Sequence, residues 1–427
     1  MCIRDSHPCN PTPPARKQSP MLTTLALTTC LLTTPHPTTP LTAAIESLFL
    51  KMEQAVRAGD QETYLSLIDQ TDPVFVQEHV NWAKDLARGL PATFDMTLES
   101  EPVIHTSPDH PSDARAIIEM RYTPGATQEG QNHEPRVIRY RARFTSGSDL
   151  FSVEALTDER SPFVAELLYA GEAWDILEHG TTRVMFPPRY REAAQIVVDA
   201  LPPIRSHVDT QMGSDNSQHI QVVKLYADMQ HLQASIYLSY VQGLSGWNEP
   251  GESIKLMARN GGGPRSMDGL LAHEYGHAAT FWMGESANAM PWWTLEGIAD
   301  YVSRAYRADY GDAEADPARE RQIPQDLAAT LKAWGEQDRL PAWSELTDFY
   351  TVDPRWMGNV YTQGNHMIAY ITQHFGVSAR NQWLRTMAAG SSIDEATRTV
   401  LSRDFATLDE QWRATLKPAE TPAVETP

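Results

Sequence analysis

Two histidines one helical turn apart, inside an apolar segment, constrain this chain more than anything else in it. The segment runs from Ser266 to Gly284 and contains His273-Glu274-Tyr275-Gly276-His277. On an α-helix, positions four apart share a face, so both imidazoles can reach one metal ion. Glu274 lies beside them, placed to hold a metal-bound water without being a ligand itself. Met267, Leu270, Leu271, Ala278, Phe281 and Trp282 make this a helix for the interior, and Gly284 can close it as the residue after its C-cap. Gly276 costs about 1 kcal/mol against alanine in a helix, which close approach of a neighbouring backbone would explain. The plain alternative is a buried helix whose two histidines only hydrogen-bond.

A second segment, Pro291 to Tyr301, predicts a helix with Thr294 as N-cap and Glu296 in its first turn, nineteen positions after His277. An acid is favoured near a helix N-terminus in any case. Two neutral imidazoles and one carboxylate also make a catalytic zinc set, with one coordination position left for water. A closed structural site would use four protein ligands, usually cysteines. Cys2, Cys9 and Cys30 are the only cysteines, so everything after Cys30 is held without disulfide or thiolate.

These residues resemble the gluzincin peptidases, the relatives of thermolysin and the large zinc aminopeptidases. The pattern there is H-E-x-x-H followed by E-G-x-A on the next helix, matched here by His273, Glu274, His277 and Glu296. The match is close from His273 to Tyr301 and loose from Trp174 to Leu416. It implies a mixed-sheet lobe, a helical lobe and zinc in the cleft between them, with Glu274 as general base. It further implies that Asp300, four residues after Glu296, orients the first zinc histidine through its other ring nitrogen. Trp356 to Gly364 opens another helix, running to Gln373 with an apolar stripe of Val360, Met367, Ile368 and Ile371. By the same resemblance Tyr361 on it donates to the oxyanion, with His366 as the other candidate, or Tyr361 is a packing aromatic. Leu408 to Trp412 is similar to the last helix of such domains. The aminopeptidase strand G-x-M-E-N has no counterpart between Gln242 and Pro264, so endo- versus exopeptidase stays open. Glu252–Ala258 is expected to be the sheet edge that pairs with an extended peptide.

A chain of 427 residues is long for one core, and an α+β protein of two units with tails is expected. Residues 1–41 read as a leader, disordered or removed. Met1 to Ser6 resembles an adapter-derived artefact, which puts the start at Met21 or upstream. Arg16 and Lys17 before the apolar run Met21–Leu32, with small residues near Ala43, resemble a signal peptide, so a secreted or extracytoplasmic protein is expected. Residues 42–160 form a small α+β unit. Its helices are expected from 42 to Gly59, from Gln61 to Asp69 and from Phe75 to Leu90. Strands follow at Ala92–Leu98, Ala114–Tyr122, Arg136–Phe144 and Leu150–Ala155. The order resembles the cone of the nuclear transport factor 2-like proteins. A junction is expected at 158–165, then the metal-binding unit at 165–417 and a disordered tail at 418–427. In that unit Ile176–Phe186 reads as strand, Arg189–Leu201 as helix and His219–Tyr226 as strand.

The formal charge of −20 disfavours nucleic acid as a partner, and no stretch is apolar enough for a stable membrane span. The expected partner is a peptide or protein substrate, hydrolysed by a water that Zn2+ activates. A non-catalytic zinc-containing binding protein and a zinc hydrolase of a non-peptide amide are the other readings.

Overall fold

Side-chain caps set the first three helices. In the computed structural model, which describes residues 39–107, 110–125, 133–145, 163–169, 174–258, 264–310 and 317–417, Thr39 Oγ1 accepts the Thr42 N–H at 3.2 Å. It opens α1 (Pro40–Ala58), which ends at Gly59 in the left-handed region, φ 68°. Asp60 caps α2 (Gln61–Ser66) and Asp72 caps α3 (Pro73–Lys84). The leader to residue 38, the tail from 418, the expected strand Leu150–Ala155 and the glycine run 261–263 lie outside the described residues.

The helices cover one face of an antiparallel sheet in the order β1 (Thr93–Leu98), β3 (His110–Thr123), β4 (Arg136–Thr145), β5 (Phe163–Tyr169), with β2 (Val103–Ser107) also paired to β3. The register sets Phe94 opposite Tyr122, Met96 opposite Met120 and Ile118 opposite Tyr140. Every second residue therefore points inward, onto Ile45, Phe49 and Met52 of α1. The junction expected at 158–165 is corrected by β5, which adds a strand to this sheet up to Tyr169. Strand β2 was not legible, because Val103 is 56% exposed and the segment has no inward-facing apolar rhythm.

The second sheet is mixed, in the order β6 (Asp175–His179), β7 (Thr182–Phe186), β8 (Gln221–Tyr226), β10 (Ile254–Met257), β9 (Gly246–Trp247). Strands β7, β8 and β10 run parallel, and β6 and β9 are antiparallel edges. Two expectations are corrected here. Ile176–Phe186 is a hairpin turning at Gly180, φ 59°, not one strand. Glu252–Ala258 is not the edge, since β9 pairs outside it with Gly246 opposite Leu256. The helix expected to end at Leu201 is α4 (Arg191–Met212) and runs through Pro202 and Pro203. Two interior prolines disfavour a helix, but Ile204, Val208 and Met212 beyond them are fully buried in the same core as Val197 and Leu201, and that burial outweighs the lost backbone bonds.

Helices α6 (Pro264–Phe281), α7 (Trp292–Tyr310) and α9 (Met357–Ala388, interrupted at Gly376) form the layer beneath this sheet, joined by α8 (Pro317–Glu336), α10 (Ile393–Leu401) and α11 (Phe405–Thr415). They approach unusually closely. A Cβ on Gly276 would lie 3.0 Å from the Ala299 Cα of α7, and one on Gly297 would lie 2.6 Å from the Gly364 carbonyl carbon of α9. Gly276 thus has the neighbouring backbone its position in the sequence implied.

Buried polar contacts join the two units. Glu78 of α3 receives Lys224 Nζ at 2.6 Å and the Ser253 hydroxyl, and Asn81 Nδ2 donates to Glu252 Oε1 at 2.9 Å. Trp82 Nε1 donates to the Ala234 carbonyl of α5 (Met229–Ile236) at 3.1 Å, and Asp85 accepts Ser239 Oγ at 2.8 Å. Lys255 closes the cluster on Glu252 at 2.8 Å. Charges so deeply buried persist because each has a counter-charge or hydrogen bond.

Candidate metal centre

Helix α6 is buried on nearly every side. Leu271, Ala272, Tyr275 and Ala279 pack into the core, and Tyr275 Oη reaches Asp209 of α4 at 3.2 Å. Ser303 Oγ of α7 donates to the Gly269 carbonyl at 2.7 Å and fixes the second helix alongside. Helix α7 starts at Trp292, so Thr294 is not its cap. Thr294 lies within the first turn, its Oγ1 buried and without a partner among the described residues, while the Trp292 N–H is anchored on the Thr347 carbonyl at 2.8 Å.

This packing converges three side chains that are each at most 4% exposed. His273 Nε2 lies 3.1 Å from Glu296 Oε2 and 3.2 Å from His277 Nε2, and His277 Nε2 lies 3.4 Å from Glu296 Oε2. The three atoms form a nearly equilateral triangle, and the cluster could hold a metal ion. No other group of three such residues does so among the described residues. Burial lowers the His277 imidazole below the usual histidine range, which favours the neutral form a metal requires.

Glu274 is fully buried beside the triangle. Strand β9 runs directly against it: a Cβ on Gly246 would lie 2.9 Å from Glu274 Cδ and closer still to its Oε1. Asp300 Oδ1 lies 3.7 Å from His273 Nδ1, and Asp300 Oδ2 accepts Arg304 Nε at 3.0 Å. Burial alone would raise the Asp300 carboxyl, but His273 and Arg304 together hold it below the usual range. Tyr361 sits with its ring 6.2 Å from that of His273, next to the cluster. His366, the other candidate on α9, is turned away. Five residues on, it lies roughly 140° further round the helix, and its Nδ1 accepts Trp412 Nε1 of α11 at 2.9 Å.

Trp292 was not singled out from the sequence. Its Nε1 donates to Glu296 Oε1 at 2.8 Å and so holds the carboxylate oxygen that does not face the histidines. The signal was available, since Trp292 lies four positions before Glu296 on one helix face. Beside the triangle opens a cleft of about 300 Å3, lined by His277, Glu296, Trp247, Phe281, Phe349 and Arg88, among others. Arg88 belongs to the first unit and lies 3.7 Å over the Tyr350 ring, so both units build the cleft. Among the described residues no helix is long and apolar enough to cross a membrane. No protein-family model matches this chain, and no curated protein matches it.

Proposed function

We propose that this chain is a zinc metallopeptidase of the gluzincin type, secreted, with a thermolysin-like zinc unit and an N-terminal unit similar to the nuclear transport factor 2 cone. The observation that carries the reading is the triangle of His273, His277 and Glu296, with Glu274 buried next to it. Zinc holds nitrogen and carboxylate ligands at about 2.0–2.2 Å in a tetrahedron, which sets ligand atoms roughly 3.3 Å apart. The three distances here run from 3.1 to 3.4 Å, a spacing that supports such a ligand set, and His277 and Glu296 border the cleft from which a water would come.

When bound there, zinc supplies Lewis-acid polarisation of a carbonyl group and of water. Glu274, which β9 holds in place, accepts the proton of the attacking water and passes it to the leaving amine. Trp292 keeps Glu296 turned toward the histidines, and Asp300 Oδ1 stands 3.7 Å from His273 Nδ1, which favours Nε2 as the ligating nitrogen. Tyr361, beside His273, donates to the oxyanion. The cleft next to this centre, aromatic on several sides, receives the substrate chain.

The decisive measurement combines metal analysis with cleavage of a peptide library by the wild type and Glu274→Gln. Both proteins should carry one zinc, and the variant should lose turnover about 10²–10⁴-fold. Equal cleavage by both would remove Glu274 as the base. Bound zinc with no cleavage by the wild type would reject the peptidase.

A further inference from the structure

Helix α3 of the N-terminal unit holds the segment that forms one wall of the cleft. That segment runs from Tyr237 to Ser253 and contains β9. Gly246 of β9 presses on Glu274, and Trp247, Asn248 and Glu249 line the cleft with His277 and Glu296. Strand β9 is two residues long and lies at the sheet edge, with Trp247 opposite Lys255 and Gly246 opposite Leu256. So short a strand has few ladder bonds to fix it, and segments with few such bonds open most readily.

Its anchors come from the N-terminal unit, on both sides of β9. Before the strand, Asp85 at the end of α3 accepts the Ser239 N–H at 3.2 Å and Ser239 Oγ at 2.8 Å, and Arg136 Nη1 of β4 donates to the Tyr240 carbonyl at 3.1 Å. After it, Asn81 Nδ2 donates to the Pro250 carbonyl at 3.3 Å and to Glu252 Oε1 at 2.9 Å, and Glu78 accepts the Ser253 hydroxyl. Glu78, Asn81 and Asp85 are three and four positions apart, so one face of α3 makes all these contacts. Between the anchors, a Cβ on Gly251 would lie 2.7 Å from Gln77 Cγ, so α3 lies directly on the turn after β9. Asn81 is 3% exposed and Asp85 1%, and a bond lost at either leaves buried polar groups without water to replace it. We propose that Asn81 and Asp85 are positioning residues of the metal centre, which fix β9 against Glu274, so that the N-terminal unit completes the site. The catalytic consequence rests on the peptidase reading; the holding of β9 does not.

The test is Asn81→Ala and Asp85→Ala in the full zinc-loaded chain, with the best peptide from the library as substrate. Asp85→Asn is the conservative variant, since an amide can still accept the Ser239 N–H and donate to its hydroxyl. Ile45→Ala on α1 is the control, which lowers stability but removes no hydrogen bond to the segment. In the two alanine variants, amide hydrogen exchange of residues 245–249 should quicken about tenfold, and kcat should fall roughly 10–100-fold. Zinc affinity should match the wild type, because the three ligands sit on α6 and α7. Asp85→Asn should recover most of both losses, and Ile45→Ala should keep wild-type kcat and exchange despite its lowered Tm. Unchanged exchange or unchanged kcat in the alanine variants would overturn the assignment. An equal fall of kcat in Ile45→Ala would also overturn it, by showing a general loss of stability. A wild type that cleaves no peptide would instead reject the peptidase reading, and exchange alone would then decide whether Asn81 and Asp85 hold β9.

Discussion

Glu296 is held at both carboxylate oxygens, one by the histidines and the other by Trp292 Nε1 at 2.8 Å. Such supporting bonds govern how well a ligand is aimed. Trp292→Phe should therefore weaken metal binding about 10–100-fold with little change in fold, read by competition against a chromophoric chelator. Asp300→Asn should fall at the weaker end of that range, since its Oδ1 stands 3.7 Å from His273 while its Oδ2 is held by Arg304. Wild-type affinity in Trp292→Phe would mean that the carboxylate needs no such support. Both residues are visible in the sequence, because the four-residue spacing that pairs His273 with His277 also pairs Trp292 and Asp300 with Glu296.

Among the elements, the spacing of α6, α7 and α9 decides whether the ligands meet. Gly297 touches Gly364 across the α7–α9 contact, and an added Cβ would lie 2.6 Å from a backbone carbon that has nowhere to go. Gly297→Ala should cost about 1–3 kcal/mol in chemical denaturation and weaken metal binding, because Glu296 is the adjacent residue. Gly358, at the start of α9, has nothing within 4 Å of the same added atom. There the identical substitution should stabilise, by up to about 1 kcal/mol of helix propensity. Equal effects at the two sites would show that the helices are not in tight contact. The helices themselves were legible from apolar periodicity, although the cap expected at Thr294 lies inside α7. The course of α4 past Pro202 was not, because local propensity favours a stop that only burial of the following turns overrides.

Across the whole molecule, the two units share a buried polar cluster and a cavity lined by His79 of α3 and His231 of α5. Burial lowers both imidazoles from 6.5 to about 3. Unfolded histidines protonate near pH 6.5 while these stay neutral when folded, so the unfolded chain binds extra protons as pH falls. Stability is thus fully present above about pH 6.5 and is lost progressively toward pH 3, by about 2 kcal/mol per histidine at pH 5. Burial would raise Glu78, but Lys224 and Lys255 hold it at about 2, so it adds a loss in the same direction below its unfolded value of 4.5. Urea midpoints measured from pH 7 to 5 should fall, and His79→Gln with His231→Gln should flatten that slope. An unaltered slope in the double variant would place the acid sensitivity elsewhere.

The sequence by itself determined the local parts of this protein. These are the helix that sets His273 and His277 one turn apart, the apolar period of α1 up to its stop at Gly59, and the alternation that makes β1, β3 and β4. Each depends on residues a few positions apart, whose geometry the backbone dictates. Tertiary structure alone decided that Glu296 faces the histidine pair at 3.1 Å, that β9 rather than β10 is the sheet edge beside Glu274, and that Arg88 from the first unit reaches the cleft. Those relations join residues from 19 positions apart, as in His277 and Glu296, to 262, as in Arg88 and Tyr350. Contacts of that kind come from packing and leave no periodic mark along the chain.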